Sequence, residues 1–162
     1  MLFDFDSQDQ TEAHAAAMAR ALDAPCVFAL RGPLGAGKTT WVRAFLRALG
    51  HDGVVPSPTY TLVEPYETDG MKVWHVDLYR LQDPLELEAL GVRELLDGNA
   101  VMLVEWPERW PEIDARSDVH LHLRHGDSES ARRLEVDAMS ERGQELLEAV
   151  EFEGLRKTTT QT

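Results

Sequence analysis

Residues 32–39 form a glycine-rich segment with the complete pattern Gly-x-x-x-x-Gly-Lys-Thr. Glycine accepts backbone angles that are closed to other residues, so successive N–H groups of such a loop can converge on phosphate oxygens. Lys38 is then expected to reach the β- and γ-phosphates of a nucleotide, and the Thr39 hydroxyl to coordinate Mg²⁺. The pattern therefore predicts a nucleotide phosphate site, whose binding residues are Gly35, Ala36, Gly37, Lys38, Thr39 and Thr40.

Two acidic residues are placed to complete this site. A single threonine cannot hold Mg²⁺ in its octahedral geometry, so a phosphate loop needs an acid from across the sheet. Glu105 ends the apolar run 101–104, and Asp77 ends the run 73–76 in the same manner. Because ligands of open α/β sheets collect at the carboxyl ends of strands, we predict that both carboxylates face the nucleotide. Lys38, Asp77 and Glu105 are thus the predicted catalytic residues, and Glu108 is a further acidic candidate.

The elements that position these residues occur in the order that a phosphate loop requires. Residues 26–30 form a short apolar run, which predicts a strand buried on both faces. Residues 39–49 place apolar side chains at helical spacing and end at Gly50, a residue suited to the left-handed end of a helix. The loop therefore lies between a predicted strand and a predicted helix.

Further strands and helices are predicted around this unit. Helices are expected at residues 11–22, 85–96 (as two short helices) and 140–150, and strands at residues 59–63, 72–77, 100–104, 119–123 and 133–136. The predicted fold is an α/β P-loop NTPase with a mostly parallel central sheet, antiparallel additions, and helices on both faces. We assign residues 1–155 to this single domain and expect residues 156–162 to form a disordered tail.

Composition restricts the class of protein. The 162 residues, 43% hydrophobic and 28% charged, suit one globular domain. The longest apolar run, residues 25–30, is far shorter than the roughly 20 residues of a membrane span, so we expect a cytoplasmic protein without a membrane segment. The formal charge of −13 creates a field that repels polyanions. It argues against tight direct binding of RNA and suits docking to a basic protein.

The cysteine and the histidines do not predict a metal site. Cys26 is the single cysteine and lies in an apolar run, so it is interpreted as a small buried side chain. The six histidines lack carboxylate or thiol partners at ligand spacing. Metal binding is therefore predicted only beside the phosphate loop.

Five segments together resemble one family, the bacterial TsaE (YjeE) ATPases that are required for threonylcarbamoyladenosine formation on tRNA. They are residues 35–40 (GAGKTT), 57–66 (SPTYTLVEPY), 75–81 (HVDLYRL), 90–94 (LGVRE) and 104–108 (VEWPE). Their order and spacing make the resemblance specific, and it covers most of the chain. Pro33 departs from the family, which usually has an acidic residue at this position. Because proline has no backbone N–H, we expect the loop to bind phosphate from Leu34 onward.

The resemblance implies ATP and Mg²⁺ as ligands. It implies that Thr39 and Glu105 bind the metal, while Asp77 either completes the metal shell through water or orients the attacking water. It also implies a switch segment near the γ-phosphate, formed by Ser57, Pro58, Thr59, Tyr60 and Thr61.

The same resemblance places further residues near the nucleotide. Asp9 and Thr11 would lie near the adenine. Arg132 would lie near the nucleotide, with its neighbour Arg133 as the alternative. Adenine is implied by the family, and the chain contains no Asn-Lys-x-Asp segment of the kind that reads guanine.

The implied partners are a TsaB–TsaD heterodimer, in which TsaD modifies adenosine 37 of tRNAs that read codons beginning with A. The tRNA would be reached only through this complex. No arginine is placed as a finger, although Arg80 and Arg93 lie in matching segments, so we expect slow hydrolysis by the chain alone and faster hydrolysis in the assembly. Two other functions remain open from the residues, a small-molecule kinase and a non-catalytic module that binds ATP.

Overall fold

One eight-stranded mixed sheet forms the centre of the fold in the computed structural model, which describes residues 1–158. The strands are β1 (Leu2–Phe5), β2 (Val27–Arg31), β3 (Val63–Glu67), β4 (Lys72–Asp77), β5 (Val101–Glu105), β6 (Val119–His125), β7 (Arg132–Ala138) and β8 (Lys157–Thr158). The helices are α1 (Gln8–Ala21), α2 (Lys38–Ala48), α3 (Leu85–Ala89), α4 (Pro111–Ala115) and α5 (Glu141–Ala149). Two 3₁₀ helices span Val92–Asp97 and Pro107–Arg109.

The sheet has a parallel centre and antiparallel edges. Its strand order is β3-β4-β5-β2-β6-β7-β1-β8. The neighbouring strands β4, β5, β2 and β6 run parallel, whereas β3 pairs antiparallel with β4, and β7, β1 and β8 continue antiparallel from β6. All five residues of β5 are buried, as expected for a central parallel strand. The predicted mostly parallel sheet with antiparallel additions is confirmed.

Helices cover both faces of the sheet, because alternate side chains of each central strand point to opposite sides. On one face, Leu103 of β5 belongs to a core cluster with residues of α1, α2 and α5. On the other face, Met102 and Val104 belong to a second cluster with Leu87 of α3 and Ile113 of α4. Within residues 1–158, none of the helices combines the length and the apolar character needed to cross a lipid bilayer.

The predicted strand at residues 59–63 is wrong. Residues 59–62 form a turn, in which Leu62 donates its backbone N–H to the Pro58 carbonyl over 2.8 Å and adopts a left-handed φ of 65°. The strand begins only at Val63. The physical reason is that the hydroxyls of Ser57 and Thr59 bond to Asp77, which holds this β-prone segment against the site.

The two ends of the chain also differ from the prediction. Leu2–Phe5 forms an unpredicted strand that pairs with β7. Lys157–Thr158 pairs with β1, and Arg156 forms an ion pair with Asp6, so these residues do not form the disordered tail predicted from residue 156. Residues 159–162, the rest of that predicted tail, lie outside the described residues.

Candidate functional site

The phosphate loop connects β2 to α2 and depends on two glycines. Gly32 has a φ of 141°, and a Cβ atom at this position would clash with the backbone carbonyl oxygen of Leu123 in β6. Gly37 has a φ of 103° and forms the N-cap of α2. Only glycine adopts such angles readily, so the loop can turn tightly and present its N–H groups at the start of the helix.

Lys38 lies inside the loop with only 5% of its surface exposed. Its Nζ donates to the carbonyl oxygens of Gly32 at 2.6 Å and Pro33 at 3.0 Å, and lies 4.3 Å from the centre of the Trp106 ring. Burial lowers the pKa of the ammonium group, while attraction to Glu105 and to the acids Asp77 and Glu108 opposes this shift. Lys38 thus lies in the cleft and forms no direct ion pair with the described residues.

Glu105 ends β5 and is held by two other side chains. Its carboxylate accepts hydrogen bonds from the Thr39 hydroxyl, which lies 3.0 and 3.2 Å from the two oxygens. Its Oε2 atom also lies 2.6 Å from Nε2 of His75. Only 2% of Glu105 is exposed, so its carboxyl group is buried at the carboxyl end of a central strand, the position predicted from the sequence.

Asp77 ends β4 directly beside Glu105 in the sheet register. Its Oδ2 atom accepts from the hydroxyl of Ser57 at 3.1 Å and from that of Thr59 at 3.5 Å, and its Oδ1 atom accepts from the backbone N–H of Tyr79 at 3.0 Å. The structure therefore brings the two predicted acids together and connects Asp77 to the predicted switch segment.

The other members of the switch segment, Pro58, Tyr60 and Thr61, form no hydrogen bond with Asp77 in the described residues. Pro58 is buried, whereas 81% of Tyr60 is exposed and its hydroxyl accepts from Arg80 at 3.3 Å. Thr61 bonds to Glu64 instead of reaching Asp77. The contacts with the site come from Ser57 and Thr59.

Arg132, at the start of β7, contacts the phosphate loop, whereas Arg133 does not. The Arg132 guanidinium donates to the carbonyl oxygens of Gly35 and Ala36, each at 3.1 Å. Arg133 forms an exposed ion pair with Asp4 of β1 at 2.7 Å. Of the two arginines, Arg132 is therefore the one that contacts the loop, and its contact with a nucleotide stays a prediction.

Two cavities lie along the loop and share Gly37 and Thr40 in their linings; together they are called the cleft. The first has a volume of about 210 Å³ and is lined by Leu34, Gly35, Gly37, Lys38, Thr39, Thr40, Ser57, Thr59, Asp77, Tyr79, Glu105 and Trp106. The second has a volume of about 130 Å³ and is lined by Gln8, Thr11, Gly37, Thr40, Glu129, Ser130 and Arg132. Thr11 is buried, and its hydroxyl has no hydrogen-bond partner in the described residues. Asp9 is exposed and does not line this cavity, whereas its neighbour Gln8 does.

Two residues at the site were not predicted from the sequence. His75 and Tyr79 appear only within the matching segment 75–81, and neither was assigned a role in the site. Trp106 lies in the matching segment 104–108, and its ring lines the cleft 5.1 Å from the ring of Tyr79. The missed signal for His75 was strand alternation, since residues 75 and 77 of one strand share a face.

The groups in this cleft suit Mg²⁺ bound together with phosphate. Within residues 1–158, no group of three or more histidine, cysteine or acidic residues is arranged to hold a metal ion by itself. Mg²⁺ is commonly held by one or two carboxylates with phosphate oxygens and waters, and the cleft offers Glu105 and Asp77. When Thr39 donates its proton to Glu105, its oxygen lone pairs remain available to a cation.

A family model described as "Threonylcarbamoyl adenosine biosynthesis protein TsaE" matches residues 5–134 of the chain. The chain belongs to the TsaE family. This TsaE chain is 42% identical over 120 residues to the tRNA threonylcarbamoyladenosine biosynthesis protein TsaE of Haemophilus influenzae, covering 74% of this chain and 75% of the relative. It is 39% identical over 118 residues to the protein of the same description from Aquifex aeolicus, covering 72% and 84%.

A solved structure has the same fold as this TsaE chain. The crystal structure of YdiB from Bacillus subtilis superposes with a TM-score of 0.74 at 27% identity, over 91% of each chain. The α/β P-loop fold and the family predicted from the sequence are thus confirmed.

Proposed function

We propose that this TsaE protein is a Mg²⁺-dependent ATPase that supports threonylcarbamoyladenosine formation at adenosine 37 of tRNAs reading codons that begin with A. The observation that carries the proposal is the convergence of Lys38, Thr39, Glu105 and Asp77 in one cleft at the end of a glycine-rich loop. The protein would work in the cytoplasm as an accessory ATPase to a TsaB–TsaD complex. The family membership supports the pathway, and the geometry of the cleft supports the chemistry.

Each side chain has a distinct task in ATP hydrolysis. The loop N–H groups bind phosphate oxygens, and Lys38 exchanges the carbonyls of Gly32 and Pro33 for the β- and γ-phosphates. Thr39 and Glu105 would hold Mg²⁺, which would supply positive charge to offset that of the phosphates during their transfer. Asp77 accepts hydrogen bonds from water near the γ-phosphate. The water is either in the metal shell or is the attacking one.

The switch segment would sense hydrolysis through Asp77. Ser57 is exposed and Thr59 is half-buried, and both donate to the same carboxylate oxygen of Asp77. A water or metal shell that recruits this oxygen competes with the two hydroxyls. Nucleotide state would thereby change the position of a loop whose Tyr60 is available on the surface.

Rapid hydrolysis would require a group from a partner. In the described chain, Arg132 is engaged with loop carbonyls, Arg80 stacks on the Tyr60 ring, and Arg93 pairs with Glu88. An arginine supplied in trans accelerates P-loop hydrolases by about 10³ to 10⁵. We therefore expect slow turnover by the isolated protein and stimulation by TsaB–TsaD.

Reconstitution tests the proposed function. Purified TsaB, TsaD, tRNA and a source of threonylcarbamoyl-adenylate are combined with the wild-type protein, with Lys38→Ala, with Glu105→Ala, or without it. Modified tRNA and released phosphate are measured, together with phosphate release in the absence of TsaB–TsaD. We expect both variants to lose about a hundredfold or more in turnover, because each removes a charged group that stabilises the transition state.

Glu108→Ala provides the matched control for Glu105→Ala. Glu108 is exposed, lies 3.7 Å from Arg31, and does not line the cleft, so its loss should change turnover little. Unchanged turnover in Glu105→Ala while ATP still binds would remove the catalytic assignment. Equal rates with and without TsaB–TsaD would remove partner activation, and a phosphorylated acceptor in place of free phosphate would identify a kinase.

A further inference from the structure

His75 is a fully buried side chain that the proposed roles leave unused. It lies two residues before Asp77 in β4 and on the same face of the sheet, because side chains alternate along a strand. In the register with β5, Asp77 lies opposite Glu105 and His75 opposite Leu103. His75 is therefore one pleat deeper in the protein than the pair of acids. From there its Nε2 atom reaches Glu105 Oε2 over 2.6 Å.

The surroundings of the imidazole define the direction of this hydrogen bond. Nδ1 of His75 is buried and has no hydrogen-bond partner in the described residues. A neutral ring with its proton on Nδ1 would leave a buried donor unpaired and would place two acceptors, Nε2 and the carboxylate oxygen, 2.6 Å apart. With the proton on Nε2, the ring donates to Glu105, and this arrangement satisfies the carboxylate.

Glu105 needs such a donor because its side chain is long and its role requires a fixed geometry. Ordering a glutamate side chain costs about 1.5–2 kcal/mol of rotamer entropy. The Thr39 hydroxyl supplies one proton and lies at similar distances, 3.0 and 3.2 Å, from both carboxylate oxygens, so it does not distinguish them. His75 contacts only Oε2, and this contact leaves Oε1 free to accept from the Thr39 hydroxyl, 3.0 Å away.

We propose that His75 is a positioning residue, whose Nε2–H anchors Oε2 of Glu105 so that the carboxylate is presented to the cation that Thr39 and Glu105 would share. The inference rests on the proposed Mg²⁺-dependent function. It concerns Glu105 alone, since Asp77 is held by Ser57, Thr59 and the Tyr79 backbone. Loss of a partner that orients a metal ligand typically reduces metal affinity by about 10- to 100-fold.

Three substitutions separate the hydrogen bond from the volume of the ring. His75→Leu fills a similar space and removes the donor. His75→Gln places an amide N–H near the position of Nε2 and keeps a donor for Glu105. His75→Asn has a shorter amide, which cannot reach Oε2 but keeps the site polar.

The experiment measures binding of a non-hydrolysable ATP analogue by calorimetry, once with Mg²⁺ and once with EDTA. The wild-type protein should bind more tightly with Mg²⁺, and the ratio of the two affinities is the Mg²⁺-dependent gain. In His75→Leu and His75→Asn this gain should fall by about tenfold. If the gain of the wild-type protein is itself smaller than about tenfold, it should disappear in these two variants. The affinity in EDTA should stay unchanged. His75→Gln should retain most of the gain.

The wild-type and variant measurements test different statements. If Mg²⁺ does not tighten binding to the wild-type protein, the proposed Mg²⁺-dependent function fails and the inference fails with it. If the wild-type protein shows the gain and both His75→Leu and His75→Asn keep it, only the positioning role is overturned. Loss of the gain in His75→Gln to the same extent as in His75→Leu would also overturn it, because the donor would then be irrelevant. Should His75→Leu fail to fold, the comparison of His75→Asn with His75→Gln decides the same question.

Discussion

Arg132 and Arg133 are neighbours in the sequence, but alternation along β7 gives them different surroundings. Arg132 is half-buried and donates to the Gly35 and Ala36 carbonyls, so it supports the loop that would cradle phosphate. Arg133 pairs with Asp4 on the surface of the sheet. A charged donor to the loop should therefore matter for nucleotide affinity, and a surface ion pair should not.

Arg132→Ala should weaken ATP binding about tenfold, which corresponds to about 1.4 kcal/mol and lies near the lower end of the range for hydrogen bonds from charged groups. Arg133→Ala is the matched control, and it should change ATP affinity by less than about twofold, since an exposed ion pair contributes little. Calorimetric titration of both variants with ATP and Mg²⁺ measures the difference. Equal losses in the two variants would contradict the role given to Arg132.

At the same scale, the two acids of the site are held by different kinds of partner. Glu105 is bonded to Thr39 on a helix and to His75 on a strand. Asp77 is bonded to Ser57 and Thr59, which belong to an irregular segment before β3. Secondary-structure elements packed in the core move less than such a segment. This difference would suit Glu105 to the proposed role of a constant metal ligand and Asp77 to the proposed role of a sensor of nucleotide state.

At the scale of elements, helix α1 and strand β1 meet around a buried histidine. His14 of α1 is fully buried, its Nδ1 accepts from the Trp41 indole of α2 at 3.1 Å, and its ring stacks on Phe152. Its Nε2 atom has no partner in the described residues. Burial lowers the pKa of His14 from 6.5 to about 3, because the apolar surroundings disfavour the charged ring.

This pKa makes the packing of α1 sensitive to acid. Below pH 6.5 the unfolded chain binds a proton at His14 that the folded chain does not bind until about pH 3. His14 should therefore reduce the free energy of unfolding by about 1.4 kcal/mol for each pH unit as the pH falls through this window. Urea unfolding followed by tryptophan fluorescence at pH 7, 6, 5 and 4 measures the slope.

His14→Asn is the comparison variant, because its amide oxygen can still accept from Trp41 while the residue no longer titrates. The variant should be less stable at pH 7, owing to the space left by the smaller side chain, but its stability should fall less steeply with acid. Identical slopes in the two proteins would show that His14 does not contribute to acid unfolding.

The elements that carry the phosphate loop could be predicted because their signals are local. Residues 26–30 and 39–49 show the apolar run and the helical spacing that β2 and α2 require, and the acids at 77 and 105 directly follow apolar runs. Residues 59–63 were mispredicted, because their β-propensity is overridden by hydrogen bonds to Asp77, which is distant in sequence. Strand Leu2–Phe5 pairs with β7 and with the edge strand Lys157–Thr158, and no local pattern reveals these pairings.

For the candidate site, most residues could be predicted from the sequence, but their contacts could not. The residues of the loop and its acids follow from motif and strand order, but the contact of His75 with Glu105 requires the register of β4 against β5. The choice between Arg132 and Arg133 likewise depends on which face of β7 meets the loop. The register between paired strands and the side of the sheet that a side chain faces depend on tertiary structure, so a single sequence does not determine them.

At the scale of the whole molecule, the balance of charge opposes direct contact with tRNA. The chain has 29 acidic residues against 16 lysines and arginines. In the described residues, six of those arginines are paired with acids, namely Arg31, Arg93, Arg116, Arg133, Arg142 and Arg156. A protein gains affinity for nucleic acid by releasing counterions from phosphates that its cations neutralise, and a net negative protein loses this term.

We therefore expect the isolated protein to bind tRNA more weakly than the 10⁻⁴ to 10⁻⁶ M that is typical of non-specific nucleic-acid binders at physiological salt. Fluorescence anisotropy of labelled tRNA at about 50 and 150 mM salt measures this, with the protein alone and with TsaB–TsaD added. The protein alone should leave the anisotropy unchanged at micromolar concentration, and the complex should raise it. Micromolar binding by the protein alone, with an affinity that falls steeply as salt increases, would mean that a local basic surface overcomes the field of the whole molecule. In that case the tRNA would contact this chain directly as well as its partners.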